Sequence, residues 1–233
     1  RGGALGRQGQ GREQQVAKAA LATIEKEGGR PTEAEETRLN ILDIATAEFA
    51  DKGLSGARID EIAEKTSASK RMIYYYFGSK EGLYRAVLER AYHAVRDVDA
   101  PAERADMPPD AALRDVVGVT FDYHTQHPEF VRLVMNENIL RGAHVSEVPG
   151  IRERNRAVIE NLRSILNRGV AAGQFREGID PVDLHMTISA LCFYNVSNRY
   201  TFSFGFERDM TSSKAPARRR MTVIGLVESW CRS

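Results

Sequence analysis

Four basic residues and three consecutive tyrosines lie between Lys65 and Lys80, and this stretch contains no acidic residue. Ammonium and guanidinium groups bind phosphate oxygens, and an arginine can also donate to both acceptors of a guanine edge. The net charge of the whole chain is only +1, so the argument for nucleic acid depends on this local concentration of positive charge. The stretch therefore predicts a surface that contacts the phosphates and base edges of DNA.

Two short helices joined by a tight turn must position these side chains. Ile59 and Ile62 have the i, i+3 spacing of a helical face, and the polar run 66–69 interrupts that pattern. Ser69 is a suitable N-cap for the second short helix, which we expect at 70–77.

The second short helix has one apolar face and one cationic face. Ile73 and Phe77, at i and i+4, are expected to point to the core, which leaves the basic and tyrosine side chains largely outward. Gly78 can end this helix, and Ser79 can cap a long third helix at 80–98. That third helix would connect the DNA contacts with the rest of the chain.

A set of spaced residues in this region matches a known pattern: Ile62-Ala63, Ser69-Lys70, Tyr74, Phe77, Ser79-Lys80-Glu81 and Leu83. With the helices around it, from about Thr37 to Arg96, the region resembles the DNA-binding helix-turn-helix of the TetR family of transcriptional regulators. One residue departs from the pattern, because that family usually has glycine at the turn where this chain has Ser67. If Ser67 has a positive φ, it costs about 1 kcal/mol, and the turn is slightly altered.

The position in the second short helix and the resemblance together predict the contacts to double-stranded DNA. Arg71 is expected to donate to guanine, Met72 to pack on a thymine methyl group, and Tyr74 to face the groove. A solvated basic face on a small helical domain is the alternative. The predicted DNA-contacting residues are Arg58, Lys70, Arg71, Met72, Tyr74, Tyr75, Tyr76 and Lys80.

The remaining predicted contacts concern the DNA backbone. Tyr75 and Tyr76 would contact phosphates or wedge against the core, as the resemblance implies. Arg58 and Lys80 are at helix starts, where the helix N-terminus also favours a phosphate group.

The whole chain predicts an all-α protein, because proline is sparse and alternating apolar and polar runs are rare. We expect an N-terminal extension at 1–36, a three-helix helix-turn-helix domain at 37–80 and a linking helix at 80–98. Residues 99–233 would form a helical domain that binds an effector and dimerises, as the resemblance implies.

This domain assignment depends mainly on the boundaries of two helices. The first helix is predicted at 37–52, with Gly53 as its stop. Asp180 and Pro181 are expected to open a long helix that runs to about Phe204. The apolar stripe predicted for the first helix consists of Leu39, Leu42, Ala45 and Phe49.

The extension at 1–36 has two interpretations. Residues 1–11 are rich in glycine, and 12–27 can form a helix. One interpretation is a basic arm along DNA, and the alternative is a solvated tail. The basic residues of this arm are Arg1, Arg7, Arg12 and Lys18.

Aromatic and amide side chains are concentrated in the helices expected to enclose the interior of the second domain. Core packing alone needs few amides, so amides on an inner face would indicate a small-molecule pocket with apolar walls and a few polar anchors. Packing in the core or at a dimer interface is the alternative for each residue. The candidate effector-pocket residues are Tyr123, Phe130, Met135, Asn138, Phe193, Asn195 and Asn198.

The helices at 180–204 and 217–230 carry apolar residues on more than one face, which is typical of helices that bury two sides. The resemblance implies that they form a four-helix interface across a two-fold axis, so that the protein is a homodimer. Paired recognition helices would enter successive major grooves of a palindromic operator, about 34–36 Å apart. The three arginines at 218–220 are expected to be a solvated face or a set of interface salt bridges.

Other kinds of site find little support in the sequence. His124 and His127 lie at i and i+3 near Glu129, but no further ligand with suitable spacing is evident, so no metal site is expected. No nucleophile motif, glycine-rich phosphate loop or catalytic carboxylate pair occurs, and we expect neither an enzyme nor a cofactor.

The expected compartment is the cytoplasm. Cys192 and Cys231 give no disulfide framework and fit a reducing environment. No apolar run approaches the roughly 18 residues that a membrane span needs, and no apolar signal region opens the chain.

Together these features predict a homodimeric repressor that a small-molecule effector releases from its operator. The effector would tilt the helix at 80–98 and change the separation of the two recognition helices. An activator or an effector-independent regulator of the same fold is one alternative, which a pocket-free second domain would favour. A helical ligand-binding or enzymatic protein without DNA binding is another, against which Arg71, Tyr74 and Lys80 argue.

Overall fold

The structure is a computed structural model, and it describes residues 32–99, 102–212 and 215–232. Within these ranges the chain forms ten α-helices and no strand beyond a single antiparallel bridge between Phe175 and Arg232. The all-α prediction is therefore confirmed. The interpretation of the extension as a basic arm falls on residues 1–31, which lie outside the described ranges, so it stays a prediction.

The helices are numbered here in chain order, and two short 3₁₀ helices, Ala102–Ala105 and Val145–Glu147, lie in the connections. The ten helices are α1 Glu33–Gly56, α2 Ile59–Lys65, α3 Lys70–Phe77, α4 Lys80–Asp99, α5 Pro109–Gln126, α6 Pro128–Ile139, α7 Ile151–Ala171, α8 Pro181–Ser197, α9 Arg199–Gly205 and α10 Ala215–Cys231.

Helix α1 begins four residues before its predicted start because a capping box precedes it. The backbone N–H and the hydroxyl of Thr32 donate to Glu35 Oε2 over 2.6 and 2.9 Å, and the Glu35 N–H donates back to Thr32 Oγ1 over 3.4 Å. This reciprocal pair satisfies donors that the first helical turn leaves unpaired. At the other end, Gly53 has φ 67° and interrupts the helix, as predicted, although one more turn follows up to Gly56.

The apolar stripe of α1 differs from the prediction at one residue. Leu39 is 43% exposed, whereas Leu42, Ala45 and Phe49 are buried as expected. Ile41, which is fully buried, takes the place of Leu39. The core-facing stripe therefore keeps three of its four predicted residues and is only slightly rotated, toward Ile41.

The described chain divides into two compact units. The first contains 32–45 and 58–83, and the second contains 46–57 and 84–232. Helix α1 therefore changes unit after Ala45, and α4 changes unit after Leu83. The predicted domain limits at 37–80 and 99–233 stay a prediction.

Two apolar clusters form the core of the second unit. The larger lies where α5, α7, α8 and α10 pack together, and it includes both free cysteines, Cys192 and Cys231. The smaller joins α4, α6 and α8 through Val95, Phe130 and Val196.

The helix predicted from Asp180 to Phe204 is two helices. Its start is as expected, since Asp180 Oδ1 accepts from the backbone N–H groups of Val182 and Asp183 at 2.7 and 3.1 Å. At Asn198, with φ −106° and ψ 6°, α8 ends and α9 begins. The prediction of one continuous helix was wrong, because neither glycine nor proline marks the break at Asn198.

Residues from α1, α4 and α6 are joined within the second unit. The rings of Phe49 and Tyr84 meet edge to face with centroids 5.0 Å apart, and both side chains are fully buried. The amide of Asn136 donates to the Phe49 carbonyl oxygen over 3.1 Å. Tyr84 also meets the ring of His144 at 5.2 Å. The contact between Phe49 and Tyr84 thus holds the second-unit parts of α1 and α4 together.

The turn between α3 and α4 depends on two glycines with different roles. Gly78 ends α3 with φ 76°, and its N–H donates to the Tyr74 carbonyl oxygen over 2.8 Å. Ser79 then caps α4, because its hydroxyl accepts from the Gly82 N–H at 3.0 Å. A Cβ atom on Gly82 would lie 2.0 Å from the Phe77 carbonyl oxygen. Only glycine therefore fits at position 82.

Substitution of Gly82 by alanine should destabilise the protein by about 2 kcal/mol, because backbone rather than a flexible side chain blocks the added methyl group. For a chain of this length, the thermal midpoint should fall by about 4–8 °C in circular dichroism melts. The matched control is Gly205→Ala, where the added Cβ would meet nothing within 4 Å. Equal melting temperatures for the two variants would contradict the close approach at Gly82.

Candidate nucleic-acid interface

Helices α2 and α3 are fixed by buried isoleucines and a side-chain-bonded turn. Ile62 and Ile73 are fully buried, one from each helix. In the turn, the Thr66 hydroxyl accepts from the Ala68 N–H at 3.2 Å, and Ser69 Oγ accepts from the Met72 N–H at 3.3 Å. The predicted bounds of α3 and its Ser69 cap are confirmed.

The turn residue Ser67 carries no left-handed strain. Among the described non-glycine residues, only Arg141 and Glu207 have a positive φ. The cost anticipated for a serine at the family's glycine position therefore does not arise, and Ser67 is compatible with an ordinary helix-turn-helix.

One face of α3 is open to solvent. Tyr74 and Tyr75 are 47% and 61% exposed, Met72 is exposed beside them, and Arg71 is exposed without an ion pair among the described residues. Because Ile73 is fully buried, α3 cannot rotate about its axis without exposing that side chain. The orientation of the open face is therefore determined by packing.

Tyr76 and Phe77 are less exposed and continue this face toward the first unit's interior. Both are half-buried, and the Tyr76 ring meets Tyr75 edge to face at 5.5 Å. The Arg38 guanidinium lies 5.5 Å from the centre of the Phe77 ring. Tyr76 thus supports Tyr75 from one side, whereas Tyr74 stands outward.

Two of the predicted DNA-contacting cations lie beside carboxylates. Lys70 forms an ion pair with Asp60 of α2. Arg58, exposed before α2, lines an open groove together with Asp60, Glu61 and Lys70. Sequence reasoning missed this competition, because the basic stretch was counted from Lys65 and the acidic residues of α2 precede it. Lys80 is half-buried in the first turn of α4.

The seven candidate effector-pocket residues are not gathered in one place. Tyr123, Phe130 and Phe193 belong to an interior aromatic group with Tyr92 and His124, in which neighbouring ring centroids lie 5.6–6.4 Å apart. Apart from His124, the members of this group are part of the smaller core cluster.

The other four candidates lie elsewhere in the second unit. Asn195 and Asn198 line a cavity of about 320 Å³ formed by α8, α9, the following loop and α10. Met135 and Asn138 are exposed on α6, where the Asn138 amide donates to the Val134 carbonyl oxygen of its own helix over 2.8 Å.

The histidines considered as metal ligands have other neighbours. His124 is buried, with Nδ1 2.7 Å from the Thr120 carbonyl oxygen, and His127 Nδ1 lies 3.0 Å from Glu129 Oε1. Within 32–99, 102–212 and 215–232, no group of three histidine, cysteine or acidic residues is arranged to hold a metal ion.

Comparison with known proteins bears on both units. Residues 41–87 match the family described as bacterial regulatory proteins, tetR family, and residues 109–227 match the tetracyclin repressor-like C-terminal domain. The second match alone covers more than half of the chain. The chain belongs to the TetR family of transcriptional regulators. The resemblance seen in the sequence is therefore confirmed.

Curated relatives and solved structures agree with this assignment. The chain is 36% identical over 192 residues to the HTH-type transcriptional repressor NicS of Pseudomonas putida, covering 82% of this chain and 91% of that protein. It is 31% identical over 162 residues to the repressor SCO4008 of Streptomyces coelicolor, covering 70% and 79%. A regulatory protein in the tetR family from Rhodococcus RHA1 has the same fold, with TM-score 0.67 and 20% identity over 87% of this chain and all of that one.

As a TetR-family member, the protein is a DNA-binding transcriptional regulator and not an enzyme, and regulators of this family bind operator DNA and dimerise. No helix in the described part of the chain combines the length and apolar composition needed to cross a membrane.

Substitution of Asp60 by asparagine should tighten binding to non-specific DNA by about two- to tenfold at low salt. The change removes a carboxylate from the groove and releases Lys70 for a phosphate group. The slope of log K against log salt, measured by fluorescence anisotropy, should steepen by about 0.9, the value for one added phosphate contact.

The control is Asp106→Asn, which changes the net charge equally at an exposed residue of the second unit. The same gain in affinity for both variants would mean that overall charge, and not the pair between Asp60 and Lys70, limits DNA binding.

Proposed function

We propose that this TetR-family regulator is a homodimeric repressor that a small-molecule effector releases from a palindromic operator. The observation that carries the proposal is the open face of α3, where Arg71, Met72 and Tyr74 are exposed around the buried Ile73. The names of NicS and SCO4008, both called repressors, support repression as the mode of regulation. The protein would act in the cytoplasm, where its operator DNA lies.

In this proposal Arg71 reads a base edge and the neighbouring residues position the helix. A guanidinium can donate to both acceptors of guanine, and Arg71 is exposed with no ion pair among the described residues to compete for it. Lys70 and Arg58 first have to exchange carboxylate neighbours for phosphate groups. Their contribution to affinity is therefore smaller than that of an unpaired cation.

Helices α8 and α10 are proposed to form the dimer interface. Each combines a buried side with large exposed apolar residues, namely Val182 and Met186 on α8 and Met221, Leu226 and Trp230 on α10. Exposed apolar residues on adjacent helices favour contact with another apolar surface. A two-fold copy supplies that surface and pairs the recognition helices at the spacing of one DNA turn.

Effector release is proposed to act through α4, which is continuous from Lys80 in the first unit to Asp99 in the second. Tyr84 is the first residue of α4 that belongs to the second unit, and its ring is fully buried against Phe49 and His144. A ligand that changes the packing around Tyr84 therefore acts on α4 directly beside Leu83, the last residue of this helix in the first unit. A small change in the direction of α4 suffices, because the recognition helices must match fixed groove positions.

The variants Arg71→Ala and Tyr74→Ala should each weaken binding to an operator selected from genomic DNA by about tenfold or more. A lost contact to a base edge costs about 1–3 kcal/mol, whereas binding to non-specific DNA should change only by the charge removed. Gel-shift titrations with both kinds of DNA measure the two effects. The control is Arg152→Ala, an exposed arginine of α7. Undiminished operator affinity in both variants would remove these residues from the interface.

The variants Met186→Lys and Leu226→Lys should convert the dimer to a monomer, because each places an unpaired charge in the proposed apolar interface. Sedimentation velocity gives the mass, and operator affinity should fall with dimerisation. Ile139→Lys is the matched control, since Ile139 is 77% exposed but lies on α6. A dimer that persists in both test variants would place the interface on other helices.

A further inference from the structure

The cavity between α8, α9 and α10 differs from the rest of the second unit in its charge. Four arginines line it, and none of its described lining residues is acidic. None of the four forms an ion pair with a carboxylate of the described residues, although 32 acidic residues are present in the whole chain. These arginines are Arg199, Arg208, Arg218 and Arg219.

The neighbouring Arg220 shows that this lack of pairing is particular to the cavity. Its guanidinium Nε donates to both carboxylate oxygens of Asp122 over 2.9 and 3.0 Å. Gly118 leaves the space for this contact, since a Cβ there would lie 2.4 Å from the Arg220 guanidinium. The three consecutive arginines at 218–220 thus have two roles, and two of them face the cavity without a carboxylate.

The Arg199 guanidinium has hydrogen-bonding capacity that the described residues do not use. It lies 4.8 Å from the centre of the Tyr200 ring, and one terminal nitrogen donates to the Tyr200 hydroxyl over 3.0 Å. Its Nε is buried and has no hydrogen-bond partner within the part of the chain that the structure describes. The guanidinium is therefore only partly satisfied by the described residues, and a carboxylate at its terminal nitrogens would add charge-assisted hydrogen bonds.

The other walls of the cavity suit a flat apolar body. Tyr194 and Phe202 lie edge to face with centroids 6.5 Å apart, and Met210 closes the loop side. Asn195 and Asn198 add amide groups that can donate and accept hydrogen bonds. A volume of about 320 Å³ is within the range of small-molecule pockets and larger than a single ring requires.

We propose that this cavity binds an organic anion in which a carboxylate is attached to a flat aromatic body. The carboxylate lies between the guanidinium groups, which match its geometry with two parallel donors. The aromatic body packs against the apolar wall formed by Tyr194, Phe202 and Met210. The proposal names the chemical class of the effector and in that respect rests on the proposed function, but binding itself is measured without DNA.

The probe is naphthalene-2-carboxylate, whose own fluorescence reports binding to the full-length protein. We expect saturable binding with a Kd of about 1 mM or tighter. Naphthalene-2-carboxamide keeps the ring without the charge, and acetate keeps the charge without the ring, so each should bind about tenfold more weakly or worse. Equal affinity for the carboxylate and the carboxamide, or no saturable binding, would overturn the proposal.

Two exposed arginines of the rim supply the variants, Arg218→Gln and Arg208→Gln, and neither side chain is needed for core packing. Each should weaken naphthalene-2-carboxylate binding by about tenfold, the loss expected for one charged hydrogen-bond donor. Arg156→Gln, at an exposed position of α7, is the control and should leave the affinity unchanged. Binding that is the same in all three variants would place the probe outside the cavity.

A second measurement separates the anion site from the proposed function. With saturating naphthalene-2-carboxylate, operator affinity in fluorescence anisotropy should fall by about tenfold or more, while sedimentation still shows a dimer. Probe binding without a loss of operator affinity would overturn the assignment of this cavity to the effector. Failure to bind any genomic operator before a ligand is added would instead contradict the proposed function.

Discussion

The contact between Phe49 and Tyr84 constrains how a signal can pass along this chain. Both rings are fully buried in the second unit, yet Phe49 follows Ala45 by one helical turn and Tyr84 follows Leu83 directly. Burial, reinforced by the Glu137 carboxylate, raises the pKa of Tyr84 well above its ordinary value, so the ring stays neutral. Glu137 itself is buried and accepts from the backbone N–H groups of His144 and Val145. Displacing either ring would expose apolar surface, so α1 and α4 are held where each enters the second unit.

Some arginines form ion pairs with carboxylates of the fold, whereas others have no carboxylate partner among the described residues. This difference explains how a nearly neutral chain can bind anions. Arg104 is buried with Asp115 at 2.8 Å, Arg132 pairs with Asp51 at 2.9 Å, and Arg220 pairs with Asp122. Each of these pairs neutralises a cation, and of the three arginines only Arg104 is fully buried. Arg71 and the four arginines of the cavity have no such carboxylate among the described residues. Unpaired positive charge therefore remains on the face of α3 and in the cavity between α8 and α10, although the net charge is +1.

Local sequence signals were enough to predict the helix-turn-helix. Features that depend on residues distant in the sequence could not be predicted from such signals. Ser69 and Asp180 cap helices through contacts within three residues, and both were predicted from sequence. The exposure of Leu39 was missed because Leu39 and Ile41 lie on nearly opposite sides of α1, and only packing decides which of the two is buried. The break at Asn198 leaves no glycine or proline to signal it. The cavity joins Asn195 to Arg218 across a loop, and no periodicity in a single helix can reveal such a grouping.

The position of the cavity limits how a ligand there can act. It lies between the C-terminal part of α8 and the N-terminal part of α10, the same two helices that carry the exposed apolar residues proposed for the dimer. A ligand bound by groups from both helices favours the arrangement of α8 and α10 that fits it best. If DNA-bound and free dimers differ in that arrangement, a tenfold difference in ligand affinity shifts operator affinity by the same factor, or about 1.4 kcal/mol. Since α8 also packs against α6 and α4 through Val196 and Val95, the shift reaches α4 through the smaller core cluster. The ligand therefore needs no contact with α4 itself, only a different fit to the two states of the helices that it joins.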